Sequence, residues 1–503
     1  MAELLNLRIG ASICSKYSAN KISKSRILFI AFLFCVFFFG NAKVYSQPFG
    51  GGSGTWGDPY RISTRQHLTE LADSVNNSTV PLPNNWSTGK VFKVIQDITD
   101  TVRIMIGNDT NYFQGALDGN NKKITVGISS NNQYVGLFSQ INLWNGMEIN
   151  DLVIDGYVTG GLNSQYVGGL VGFAYSTLFH NVTNLSDVSG LSSFSSVGGV
   201  AGAINPGDGM EINPCINNGS VTGGFAIAGV FGTIYLSQPQ YSAAVIMLHN
   251  FMNSGTIKSN DNVDISHYMA GIVAYVDINS ATPWDIIVRG AVNVGQVLSR
   301  KSLYAAGVVA HLDNSGNALM ANINNSSNSG LVDGATIAVG GIAGYIDNVS
   351  VIGCINTNWI EPTVTGQNSG AIVGFNNGTV RDCFYDEQMC ILNNGIGTGL
   401  LTTQMLGNIL QAFLPLPWNW VFQSNLYPRP SNWFQQNHPI SLLSAAPIYL
   451  RDTTPPVAIP FETLDNVRTD FTVSNGIAFP PPIPPNPPNP YWHPYRWESI
   501  WLC

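Results

Sequence analysis

Apolar residues in this chain cluster in runs of four to six positions, rich in Val and Ile and closed by Gly or Asn. That pattern predicts short strands, because a glycine every few residues carries a large penalty in any helix laid through it. The runs repeat. A glycine-centred unit occurs at Val135–Phe138, Val167–Gly172, Val197–Gly202, Ile227–Gly232, Met269–Val273, Ala305–Val309, Val339–Gly344 and Ser369–Gly374. Successive steps between Gly136, Gly169, Gly199, Gly229, Gly271, Gly307 and Gly341 are 33, 30, 30, 42, 36 and 34 residues, the range of stacked repeats.

A second unit follows each first one, as in Cys215–Val221, Phe251–Ile257 and Ala291–Val297. Aligned, these units give three columns. Leu152, Val182, Cys215, Phe251, Ala291, Ser326, Cys354 and Cys383 are apolar or small and are placed inside. Asn184, Asn217, Asn253, Asn293, Asn328 and Asn356 predict an asparagine ladder at a turn, each amide bonded to the next coil. Gly156, Gly219, Gly255, Gly295 and Gly330, with Ser186 interrupting, are expected to mark a turn of positive φ.

A single unit has no partner for its apolar face, and stacking supplies one. The expected fold is all-β: a right-handed parallel β-helix (β-solenoid) with short helical elements in the end caps. At about 4.8 Å per rung, nine or so coils make a rod of roughly 40–45 Å. Expected boundaries are a signal peptide at 1–46, an N-terminal cap at 47–112, the β-helix at 113–395, a C-terminal cap at 396–452 and a Pro-rich extended tail at 453–503. In the first cap, Ser63–Gln66 reads as a capping box before a helix burying Leu68, Leu71, Ala72 and Val75, with strands at Val91–Ile95 and Val102–Ile106. Thr402–Phe413 reads as one short helix.

Composition sharpens the setting. Charged residues make up 10% of the chain, and 52 of its 503 residues are glycine, which disfavours helix bundles. Lys16, Lys21, Lys24 and Arg26 precede a 14-residue apolar run, Ile27–Gly40, shorter than a membrane span and suited to a cleaved export signal. Residues 1–46 hold six basic residues and one acidic, which leaves 16 basic and 29 acidic, a net charge of −13. Nucleic acid and anionic lipid are poor partners for such a body. The expected location is extracellular or on the surface of a Gram-negative cell, with no membrane span after cleavage.

These repeats resemble the bacterial GLUG-motif proteins, whose coils carry a Gly-Gly-Leu-Val-Gly-like strand and an Asn-Cys or Asn-x-Gly turn. Val167–Gly172 is close to that consensus, Cys383–Met389 resembles the closing repeat, Gly54–Ile62 the segment before the repeats, and Phe113–Asn120 the first coil. The resemblance covers about residues 50–450. It implies a right-handed parallel β-helix on exported, Bacteroidetes-like proteins. It implies surface display or adhesion, but no activity. Such repeats also occur beside peptidase domains that cleave immunoglobulin A; this chain has no His-Glu-x-x-His to carry that chemistry.

No candidate chemistry outweighs its bland alternative. His180 and His249 fall two coils apart with Asn213 between them, about 10 Å, too far to share a metal ion. Asp118, Asp151 and Asp155 read as turn residues rather than paired carboxylates or calcium ligands. Cys354 and Cys383 on adjacent coils are within disulfide reach. A Cys383–Cys390 bridge is as plausible as two free thiols, and Cys215 reads as a small buried hydrophobe. The expectation is therefore a secreted or surface scaffold, adhesin-like, binding glycan or a host or cell-surface protein, without cofactor or metal and not an enzyme. The alternatives are a carbohydrate-active β-helix enzyme, which needs a groove with three or more Asp, Glu, Arg or Lys from neighbouring coils, a column not expected from this sequence, and a spacer within a larger surface protein.

Overall fold

A computed structural model describes residues 49–430, apart from 81–84, 143–146, 176–177, 207–210, 237–243, 261–265, 279–283, 300–301, 316–319, 363–367, 391, 415–419 and 423–425. The expected signal peptide, the expected Pro-rich tail, Cys503 and the end of the expected C-terminal cap lie outside the described residues.

The described chain winds into a parallel β-solenoid of about nine turns. Three parallel sheets of 19, 8 and 12 strands form its walls among the described residues. Each turn runs in the same order. A strand of the second sheet, such as Ser302–Ala306, enters the glycine turn. A strand of the third, such as Val309–Asp313, leaves it. A strand of the first, such as Ser327–Asn328, then carries the ladder asparagine. Strands alternate in and out with period two. Inward positions such as Val167, Val197, Ile227, Met269, Ala305 and Val339 are sealed in one continuous core.

The inward column Leu152, Val182, Cys215, Phe251, Ala291, Ser326, Cys354 and Cys383 is buried throughout, with Val182 in register with Leu152 on one side and Cys215 on the other. The residue just before it makes the corner. Asp151, Asn181, Asn250, Gly290, Asn325, Gly353 and Asp382 all have positive φ, between 47° and 65°. Asn, Asp and Gly tolerate that region best.

This finding moves the positive φ away from the expected column. Of Gly156, Gly219, Gly255, Gly295 and Gly330, only Gly156 has it, at 106°. The others are glycine because a Cβ would lie 1.9–2.1 Å from a carbonyl oxygen of the coil below, Ser186, Gly219, Gly255 and Gly295 in turn. Close approach, not backbone angle, selects them.

The first helix, Arg65–Asn76, buries Leu68, Leu71, Ala72 and Val75. Its cap is Thr64, one residue later than expected: Thr64 Oγ1 accepts from the His67 amide, while the Ser63 amide donates to His67 Nδ1. The strands that follow are Val91–Val94 and Ile98–Val102, the second earlier than expected because Ile98 and Val102 are its buried positions and pair with Ile124 and Val126. Tyr60–Ile62 and Val91–Val94 join the first sheet in parallel. At the other end, Thr402–Phe413 is not one helix. It splits into Thr402–Met405 and a 3₁₀ turn, Ile409–Ala412, parted by Gly407 at φ 71°. Met405, Leu410, Leu414 and Trp420 pack with Ile355 and Phe384, covering the apolar face of the last coils.

Candidate functional site: an aromatic and acidic strip along the coils

Each ladder asparagine is fully buried. Nδ2 of Asn184, Asn217, Asn253, Asn293 and Asn328 donates to Oδ1 of the next ladder residue, Asn217 through Asn356, at 2.8–2.9 Å. The same Nδ2 atoms donate to the carbonyl two residues on, such as Gly295 O from Asn293 at 3.0 Å. Across the coil the amide abuts the glycine turn. A Cβ on Gly169, Gly199, Gly229, Gly271, Gly307 or Gly341 would lie 2.2–2.5 Å from an atom of Asn184, Asn217, Asn253, Asn293, Asn328 or Asn356 respectively. The two repeat units are therefore one device. Its chemistry is structural: every amide is sealed from solvent.

The other sequence candidates do not gather. Asp118 pairs with Lys93 at 2.6 Å and Asp155 with Lys123 at 2.9 Å, while Asp151 accepts from Asn181 at 2.7 Å. The Lys123 hydrogen bond holds the Asp155 carboxyl below its ordinary range. His180 lies 3.7 Å from Glu148 and contacts the Asn213 carbonyl. No group of three potential metal ligands forms among the described residues. The Cys383–Cys390 bridge is not formed: both thiols are free, as are Cys215 and Cys354. Cys383 faces the adjacent coil instead, where its Sγ accepts from the Cys354 amide at 3.4 Å.

What the sequence reading missed lies on the outside, where the second and third sheets meet. Outward positions of the second sheet run Tyr134, Tyr166, Ser196, Ala226, Tyr268, Tyr304, Ala338 and Asn368. Those of the third run Gln140, Phe173, Ala203, Thr233, Tyr275, His311, Tyr345 and Phe375. The glycine turn is tight enough that the two outer columns touch. Ring centroids lie 5.1 Å apart for Tyr166 and Phe173, 4.4 Å for Tyr268 and Tyr275, and 4.8 Å for Tyr304 and His311. Outward side chains that meet across a corner make one continuous strip of the two columns.

Along the axis the rings stack face to face. His311 lies on Tyr345 at 4.5 Å and Tyr345 on Phe375 at 4.7 Å, both interplanar angles being 5°. Ring faces are thereby used up between coils. Ring edges and phenol oxygens of half-exposed Tyr268, Tyr275, Tyr304 and Tyr345 remain for a partner. In the middle, where Ala203 and Thr233 leave room, Tyr235 reaches back so that its hydroxyl lies 3.2 Å from that of Tyr166.

Two residues further along the third sheet is a row of carboxylates. Asp313 is in register with Asp347, and Asp277 occupies the same position one coil earlier. The expectation that no acidic column exists on neighbouring coils is corrected here. Its signal was present as Tyr275-Val276-Asp277, His311-Leu312-Asp313 and Tyr345-Ile346-Asp347. Burial raises the Asp277 carboxyl above its ordinary range against a hydrogen bond from Tyr275. Burial also pushes His311 down to about 4, so the ring is neutral near pH 7, and lifts the Tyr268 phenol to about 12.

No family model matches the chain. The β-solenoid implied by the GLUG resemblance is present, and the motif family itself is not shown. A protein of Evansella cellulosilytica, provisionally named a Gly-rich membrane protein, is 30% identical over 168 residues, covering 30% of this chain. The match spans 18% of that relative's length. Among the described residues, no helix is long and apolar enough to cross a membrane. The crystal structure of a protein provisionally described as an immunoglobulin A1 protease from Bacteroides ovatus has a TM-score of 0.44 and 18% identity, covering 76% of this chain and 95% of the other. The expectation of a non-enzyme stands against that description and is withdrawn, and a likeness this distant assigns no activity to this chain. The chain is a parallel β-solenoid by its own structure, similar over 168 residues to a glycine-rich protein named for a membrane.

Proposed function

We propose that this protein is a secreted or cell-surface solenoid that binds glycan along the strip where its second and third sheets meet. The observation that carries this reading is the alignment of phenol hydroxyls and carboxylates on successive coils of one strip. Sugars are chains of hydroxyls, which both donate and accept, and Tyr and Asp supply both complements. The strip's aromatic edges add apolar contact. The resemblance to GLUG-motif proteins supports surface display, and the relative named as a membrane protein is consistent with it.

Cleavage of the bound glycan is a second reading, favoured by the acidic row. Carboxylates on adjacent coils sit about 4.8 Å apart by strand spacing, near the roughly 5–5.5 Å of retaining glycosidase pairs. Reducing-end release from a polysaccharide panel separates binding from cleavage.

The test is a glycan array probed with the full chain, followed by titration of the best ligand against Tyr304→Phe and Tyr345→Phe. Each substitution removes one hydroxyl and keeps its ring. A loss of about 1 kcal/mol, roughly fivefold in affinity, is expected for each. An array without signal, or two variants that bind as the unaltered chain does, refutes the proposal.

A further inference from the structure

Resting on that reading, we propose that the ligand is an extended linear polysaccharide carrying free amino groups, laid parallel to the solenoid axis at about one sugar ring per coil. A parallel sheet fixes the repeat of everything mounted on it at about 4.8 Å. Tyr275, His311, Tyr345 and Phe375 form one such row over four successive coils, and Asp277, Asp313 and Asp347 form another beside it. A row of polar groups with a fixed repeat is satisfied over many coils at once only by a polymer of similar repeat. An extended chain of pyranoses advances by about one ring per coil. Compact or helical glycans meet one or two coils and then leave the line.

Charge selects the sugar. In-register carboxylates on neighbouring strands repel one another and destabilise the sheet. A cation lying along the row relieves that repulsion. No Lys or Arg occupies any of the outward register positions of the two aromatic columns or of the acidic row over these coils. His311, the basic ring within the row, is neutral above about pH 4, so it offsets none of the negative charge. Ammonium groups on the ligand meet carboxylates on one side and the accepting phenol oxygens of Tyr275 and Tyr345 on the other, whereas uronates are repelled by the same acidic row.

The experiment titrates the full chain at pH 5.5 and low salt with three series from dimer to octamer: β-1,4-linked glucosamine, its N-acetylated counterpart, and galacturonate. The expected result is affinity for the amino series that rises with length beyond the dimer and falls with added salt, with galacturonate weakest. Asp313→Asn and Asp347→Asn should each lower affinity for the amino series about threefold, the size of a half-exposed ion pair, and lower it less for the acetylated series, which offers no charge to the carboxylate. Equal affinity for dimer and octamer overturns the axial placement. Preference for the acetylated or uronate series overturns the amine assignment and leaves the glycan reading standing. Failure of all three series together with the array overturns both.

Discussion

Replacing Asn293 by alanine tests the ladder where it is best supported on both sides. Asn293 is fully buried, and its side chain makes three hydrogen bonds. Nδ2 donates to Asn328 Oδ1 at 2.8 Å and to Gly295 O at 3.0 Å; Oδ1 accepts from Asn253 Nδ2 at 2.9 Å. Two neighbours keep a second partner after the loss: Asn253 Nδ2 retains Gly255 O, and Asn328 Oδ1 retains the Gly330 amide at 3.2 Å. Each lost bond therefore falls at the low end of the roughly 1–3 kcal/mol for an unmet buried group, about 3 kcal/mol in all. Asn356 ends the row. Its removal deprives Asn328 Nδ2, which still has Gly330 O, and the Asn358 carbonyl, for about 1–2 kcal/mol. Asn293→Asp should be worse than alanine, because it sets an acceptor against Asn328 Oδ1 and buries a carboxyl. Urea unfolding should rank Asn293→Asp as the least stable, Asn293→Ala next and Asn356→Ala as the most stable of the three. Hydrogen exchange rung by rung guards against partial unfolding of a repeat array. Should Asn293→Ala lie within about 0.5 kcal/mol of the unaltered chain, or Asn356→Ala lose as much, the reasoning about unmet buried amides is wrong.

Three further outcomes follow from the geometry. Gly271→Ala should abolish soluble folded protein or lower its melting temperature sharply, since the new Cβ would meet Asn293 Cγ and Gly307 O at 2.3 Å, whereas Gly57→Ala, with nothing within 4 Å, should be neutral. His311 titrates near 4 when folded and near 6.5 when unfolded, so the unfolded chain binds the extra proton between those values; stability present above about pH 6.5 declines toward pH 4 by about 2–3 kcal/mol, and urea midpoints of His311→Phe should lack that part of the slope. Burial raises the Cys215 and Cys354 thiols and pushes Cys390 up to about 11, so these three should resist iodoacetamide at pH 8 while folded, and all four described cysteines should react once unfolded without reductant; a missing pair would reveal a bridge.

The inward column and the asparagine row were legible because each repeats a side-chain type at a fixed place beside a glycine. The corner was not. Asp151, Asn181, Pro214, Asn250 and Gly290 share no side chain, and what most of them share is a backbone angle that a sequence does not display. The Gly219–Gly330 column was found but credited to that angle, because a carbonyl 1.9 Å from an imagined Cβ belongs to another coil and has no local trace. The strip is hidden in the sequence for a different reason. Its residues sit just past the glycine unit, where Tyr275, His311 and Tyr345 differ in name while matching in shape, and where Asp277, Asp313 and Asp347 look like ordinary strand-end polar residues until the register aligns them.

The contact between turn glycine and ladder amide also bears on how such a chain can grow. In the first full coil the position in register with Asn184 is Ile154, and the glycine turn, Val135–Phe138, is one residue shorter than Val167–Val171 and lacks the second glycine. In the last coil Tyr385 is in register with Asn356, and Ala371 follows Gly370 where Gly341 follows Gly340. Glycine and asparagine are lost together at both ends and kept together in the six coils between. The heritable unit is thus the whole coil: duplicating one adds a rung whose lock and key arrive matched, while recombination that splits the pair joins an alanine to an amide with no space for both.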